Sequence, residues 1–137
     1  MELSLFLKEN KIKRENAFFP ATASLLDDAG NPLLWEIRPL STREDETIRE
    51  ECTFFDTNCN KFRLNVPKYT AKVAAAATVE PNLYNVNLQN SYDVSLPEDL
   101  IKELIDDPLE YQNFVRFVQQ LGKFDTPLSE RVENAKN

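Results

Sequence analysis

The sequence contains no histidine and only two glycines, Gly30 and Gly122. Each shortage removes a class of function. Without histidine the chain lacks the commonest general base near neutral pH, and the usual activator of serine or cysteine nucleophiles. With so few glycines it cannot build the turns that cradle phosphates in nucleotide-binding loops. Its two cysteines, Cys52 and Cys59, are too few for a structural zinc site, and there is no imidazole to complete a ligand set. They read as ordinary thiols. Carboxylates are plentiful, 23 of them, so pairs at acid–base spacing arise by chance. The expectation is a protein that is not an enzyme, with no cofactor and no metal.

Long apolar runs are missing too. The start, "MELSLFLKENK", offers only Leu3, Leu5, Phe6 and Leu7, with no basic residue before them, which is too little for a secretory leader. No window approaches the roughly 20 apolar residues that cross a bilayer. Basic charge is in the minority, 16 residues against 23 acidic, for a net charge of −7. Such a field repels phosphate backbones and anionic lipid, so neither nucleic acid nor membrane is an expected partner. The expected location is the cytoplasm.

What the chain does have is enough apolar material for a core. It has 137 residues, 42% of them hydrophobic, which fits one domain able to bury roughly two-thirds of its unfolded surface. Residues 2 to 10 could form a short helix with Leu3, Phe6 and Leu7 on one side. "NKIKREN" is an exposed connector, either a solvated loop or a basic patch for an acidic partner. From Ala17 the period is two, with Phe19, Ala21, Ala23 and Leu25 on one face and Thr22 and Ser24 on the other. "DDAGNP" is a turn, and Leu33, Trp35 and Ile37 line a second strand, so a β-hairpin is predicted. Trp35 reads as a core anchor. A third strand is predicted at "KFRLNVP", with Phe62, Leu64 and Val66 on one face.

The stretch "STREDETIREEC" has the opposite problem: a helix with little to bury. Ser41 and Glu44 are spaced as a capping box, and Glu44, Asp45 and Glu46 suit the positive end of the helix dipole. Only Ile48, Cys52 and Phe55 can face inward. Either one thin edge packs on the rim of the sheet, or the charged face is offered to a partner. "CTFFDTNCN" breaks this helix.

Beyond it, Tyr69, Val73, Ala76 and Ala77 recur at helical spacing up to Pro81, with alanines that favour helix and close packing. Leu88 and Tyr92 fit a short helix capped by Asn85. Leu100, Ile101, Leu104 and Ile105 form the inner stripe of the next, with Pro97 in its first turn. The last helix is the clearest signal, with Asp107 as cap, Pro108 at the first position, Glu110 closing the box and Gly122 ending it. Its stripe is Tyr111, Phe114, Phe117, Val118 and Leu121. Residues 123–137 read as a mobile tail after a single domain spanning 1–122. The predicted class is α+β: an N-terminal hairpin, extended to a three-stranded antiparallel sheet if the third run joins it, covered on one face by four to five short helices, with an all-helical C-terminal half.

The order of these pieces resembles the XkdN-like tail assembly chaperones of phages and prophages of Gram-positive bacteria. The resemblance runs from about Leu3 to Leu121. It is carried by Trp35 to Leu40 followed by the acidic helix ending in Cys52, and by Pro81, Leu83, Leu88, Gln89, Ser91 and Tyr92. Family members often have glycine after that tyrosine, where this chain has Asp93. The resemblance implies a protein that binds the tape measure protein, keeps it soluble, helps recruit tail-tube subunits, and is absent from the finished virion. It brings no catalytic residues. A structural minor tail or connector protein is the alternative. For the client contact, the last helix and its exit are predicted: Phe114, Phe117, Leu121 and Phe124, in a helix-in-groove mode. The acidic faces at Glu44 to Glu51 and Glu98 to Glu110 would keep the assembly soluble. A free hairpin edge leaves self-association open.

Overall fold

Alternation places the first two strands. In the computed structural model, which describes residues 1–121, β1 (Ala17–Pro20) pairs antiparallel with β2 (Leu34–Ile37), setting Phe19 opposite Trp35 and Ala17 opposite Ile37. That register turns Trp35 and Ile37 inward, where both are buried. The other face of the pair is open, with Phe18 and Leu34 each more than 60% exposed: 63% and 62%.

The third strand of this sheet is β5 (Thr78–Glu80), on the far side of β2, which gives the order β1-β2-β5. The run expected to be the third strand lies elsewhere. Lys61–Leu64 (β4) pairs with Thr53–Asp56 (β3) in a separate two-stranded hairpin, with Asn60 in the left-handed region at its turn. The first strand is also shorter than its alternation suggests. It stops at Pro20, whose missing N–H ends the ladder. Beyond it Thr22 is buried and Ala23 exposed, the reverse of the expected faces. The Thr22 hydroxyl donates to Glu110 at 2.7 Å and the Ala23 amide donates to the other carboxylate oxygen at 2.8 Å. In the connection to β2, the Asp27 carboxylate accepts from the Ala29 and Asn31 amides, each at 2.9 Å. Gly30 supplies the left-handed residue there, with φ +86°.

The expected helix at residues 2 to 10 does not form. Leu3–Phe6 and Lys8–Asn10 are two 3₁₀ turns, and Leu3, Leu5, Phe6 and Leu7 are all exposed. A segment this short cannot sustain an α-helix without a surface to pack against.

Among the described residues there are five α-helices: α1 (Thr42–Cys52) and α2 (Val66–Ala77) between β2 and β5, then α3 (Val86–Ser91), α4 (Pro97–Leu104) and α5 (Pro108–Gln120). The fold is therefore α+β, with a three-stranded antiparallel sheet and a helical C-terminal half. The capping box at Ser41 and Glu44 forms in both directions, and Asn65, Asn85 and Asp107 cap α2, α3 and α5.

Helix α2 is the hub, in contact with α1, α4, α5 and β5. Ala71, Ala74, Ala75 and Ala77 are buried along it with Val73, and their small side chains let the neighbours approach closely. It ends at Ala77 rather than at Pro81, because Thr78 and Val79 turn directly into β5. β-Branched residues favour that extended pairing. Leu100, Ile101, Leu104 and Ile105 are all buried, as their spacing implies. Asp93 has φ +56°, the left-handed conformation that glycine adopts most easily and aspartate tolerates.

Candidate partner-binding surface

Helix α5 anchors itself through aromatic packing. The Phe114 ring meets the edge of Trp35 at 5.4 Å between centroids and lies 6.1 Å from Phe19, and it is fully buried. Phe117 stacks on Phe19 at 4.4 Å and is half-buried. Of the four residues expected to touch a client, Phe114 thus fills the protein's own core. Phe117 and Leu121 sit at its border, and Phe124 lies outside the described residues.

Leu121 has a second setting. It lines an open groove of about 390 Å³ between α1, α2 and the end of α5. Leu40, Val73 and Val118 give the groove an apolar floor, while Arg14, Asp45 and Arg49 stand at its rim. A depression of this kind, apolar below and charged at the edges, suits one face of an amphipathic helix.

The rim is built from helix α1. The Tyr69 hydroxyl donates to Asp45, and the Arg49 guanidinium lies 4.7 Å from the Tyr69 ring centroid, a cation–π contact. Tyr69 and Arg49 both hold the Asp45 carboxyl below its ordinary range, because each donates to it. Burial and the Asp45 bond push the Tyr69 phenol up. Next to them, Arg38 reaches Glu44 at 3.1 and 2.6 Å through two nitrogens. That fork, with the Ser41 amide, lowers the Glu44 pKa to about 2. Lys72 on α2 reaches Glu51 at 3.0 Å.

Several carboxylates expected to form a free acidic face are therefore committed internally. Glu44, Asp45 and Glu51 tie α1 to Arg38 just past β2 and to α2, and Glu110 holds the Thr22 turn. Glu46 and Glu50 remain exposed.

A second exposed apolar area was hidden from the sequence reading. On the β3–β4 hairpin Phe54, Phe55 and Phe62 are all exposed, and Phe55 and Phe62 face each other across the strands at 5.2 Å. The signal was available: "TFFD" and "KFRL" flank the turn-prone "TNCN". Only the second run was read as a strand, because α1 passes into β3 with no glycine or proline between them.

Among the described residues no three histidine, cysteine, aspartate or glutamate side chains are placed to hold a metal ion. Cys52 is buried, Cys59 is exposed, and both are free thiols. No helix among these residues is long and apolar enough to cross a membrane.

Known proteins match the chain along its whole length. It is 24% identical over 139 residues to the phage-like element PBSX protein XkdN of Bacillus subtilis (strain 168), covering 99% of this chain and 94% of that one. Protein YqbN of the same strain is also 24% identical, over 99% of this chain and 93% of its own. The crystal structure of YqbN superposes with a TM-score of 0.74 at 22% identity, covering 91% of this chain and 98% of that chain, and so shares the fold. A profile of the family described as phage XkdN-like tail assembly chaperone protein matches residues 3–136. By that match over nearly every residue, the chain belongs to the XkdN-like phage tail assembly chaperones.

Proposed function

We propose that this protein binds the tape measure protein of its phage or prophage during tail assembly, keeps it soluble, and helps recruit tail-tube subunits. It acts in the host cytoplasm, does not remain in the mature virion, and performs no catalysis. Membership of the tail assembly chaperone family carries this reading.

The groove beside Leu121 supports a particular mode. A long helical client exposes apolar stripes that aggregate before its partners arrive. The floor of Leu40, Val73, Val118 and Leu121 receives one such stripe, with Phe117 at its border. The exposed charges of the chain, at a net −7, keep the complex soluble.

Co-expression with the tape measure protein of the same genome tests the reading. The client's soluble fraction rises when the chaperone is present, and Leu121→Arg abolishes the rise while circular dichroism of the variant stays native. An unchanged soluble fraction with the parent chaperone defeats the proposal. Mass spectrometry of purified virions provides a second test: finding the chain in finished tails favours the structural-protein alternative.

A further inference from the structure

We propose that two copies of this protein form a two-fold dimer by exchanging N-terminal arms, each arm lying in an apolar groove of the other copy. The proposal is independent of the client reading, because it uses a different surface.

The arm is an apolar segment whose large side chains are exposed. Leu3, Leu5, Phe6, Leu7 and Ile12 are 79, 68, 68, 46 and 71% exposed. The segment is tethered only at its root, where Arg14 donates to the Leu40 carbonyl at 2.9 Å and Asn16 to Glu36 at 2.8 Å. Apolar surface in a contiguous stretch of this kind marks an interaction site.

The receiving groove, of about 310 Å³, lies between the start of β2 and helices α3 and α4. Its walls are almost wholly apolar, with Leu25, Leu33, Leu34, Leu88 and Tyr92 among them and Glu80 as the one charged residue. In the β2–β5 register Glu80 stands directly opposite Glu36. Like charges in that position repel, and among the described residues no cation forms a salt bridge with either.

Charge chooses the occupant. After its apolar residues the arm carries Lys8, Lys11, Lys13 and Arg14 against Glu9 and Glu15, a net positive stretch in a chain whose net charge is −7. Seated in the groove, "LSLFL" covers the leucines and the lysines meet the Glu36–Glu80 pair. An acidic chain finds such a complement in its own basic arm.

Within one chain the arm leaves the groove uncovered, since Leu3, Leu5 and Phe6 all stay exposed, so a second copy's arm is the occupant we assign. The arm enters at the Ala17–Ile37 end of the strand pair, whereas the groove opens at the Pro20–Leu34 end. β1 is an edge of its sheet. Two β1 edges laid antiparallel bring Ala17 of one copy beside Pro20 of the other, and each arm then points into the other copy's groove.

Light scattering on the full chain tests this. The expected mass is twice that of one chain, and Leu3→Asp with Phe6→Asp weakens dimerisation by about tenfold or more. Glu36→Lys with Glu80→Lys does the same, and joining those changes to Lys8→Glu and Lys11→Glu restores it. Because Leu3 and Phe6 are largely exposed in their own chain, the Asp variants keep native circular dichroism. Oxidation of Ser4→Cys, Leu33→Cys in a Cys59→Ser background yields a disulfide between chains. A monomeric parent overturns the proposal. So does a disulfide within one chain, or a dimer indifferent to the arm substitutions. Loss of client solubilisation with the dimer intact also overturns it, since the arm then serves the client.

Discussion

Helices α1 and α5 are similar in length, 11 and 13 residues, and each begins at a side-chain cap. They are held in opposite ways. Helix α5 drives Phe114 into an aromatic cluster with Trp35 and Phe19. Helix α1 buries only Ile48 and Cys52, and is fastened by Arg38 to Glu44, Tyr69 to Asp45 and Lys72 to Glu51. Burial of apolar area is large and does not depend on the ionisation of any side chain. Partly exposed ion pairs are weak one at a time and depend on salt and pH. One helix is thus an anchor and the other a charged border whose polar ties line a groove.

The contrast can be broken at either helix. Phe114→Ala should have the largest effect, about 3–5 kcal/mol of stability lost in urea denaturation, because it empties the aromatic centre. A loss under 1 kcal/mol would place the anchor elsewhere. Glu110→Ala should cost about 1 kcal/mol, since the Thr22 hydroxyl keeps Ser24 as a partner and the exposed Ala23 amide turns to solvent. Protection of the Ala23 amide from hydrogen exchange should fall with it.

On α1 the effects are smaller and pH-dependent. Glu44→Gln should cost less than about 1 kcal/mol at pH 7, mostly the lost charge beside Arg38 and the helix N-terminus, since glutamine can still close the capping box and solvent screens the half-exposed pair. The Glu44 carboxyl titrates near 2 in the folded chain, below the roughly 4.3 of an unfolded glutamate. Its ionic contribution is complete above that unfolded value and disappears as pH falls toward 2. Parent and variant denaturation curves should therefore converge in acid; a gap that widens there contradicts the assignment. Lys72→Ala should change stability by less than about 0.5 kcal/mol, and added salt should shrink even that.

The legible parts of the sequence were those where a local signal and the final environment agree. Ser41 and Glu44 form their capping box, and Leu100, Ile101, Leu104 and Ile105 face the core as their spacing implies. Glu110 shows the limit. Its position suggested the closing half of a box at Asp107, yet its carboxylate turns to Thr22, 88 residues away in sequence. The third strand was misplaced for a related reason. Alternation at Phe62 and Leu64 shows that a strand exists but not which strand it pairs with, while Thr78–Glu80 is too short to show any period at all. The candidate contact was half legible. The stripe on α5 was visible, but nothing local distinguishes Phe114, which fills the core, from Leu121, which lines a groove.

Composition and local spacing determined the α+β class, the helix caps, the anchoring role of Trp35 and the lack of histidine-based chemistry. These depend on a residue and its near neighbours in the chain. Sheet order, the separate aromatic hairpin, the internal use of the acidic residues and the exposure of the N-terminal arm were decided only by the tertiary structure. Each depends on which distant segment arrives first to cover an apolar surface or satisfy a charge, and that competition leaves no period in the sequence.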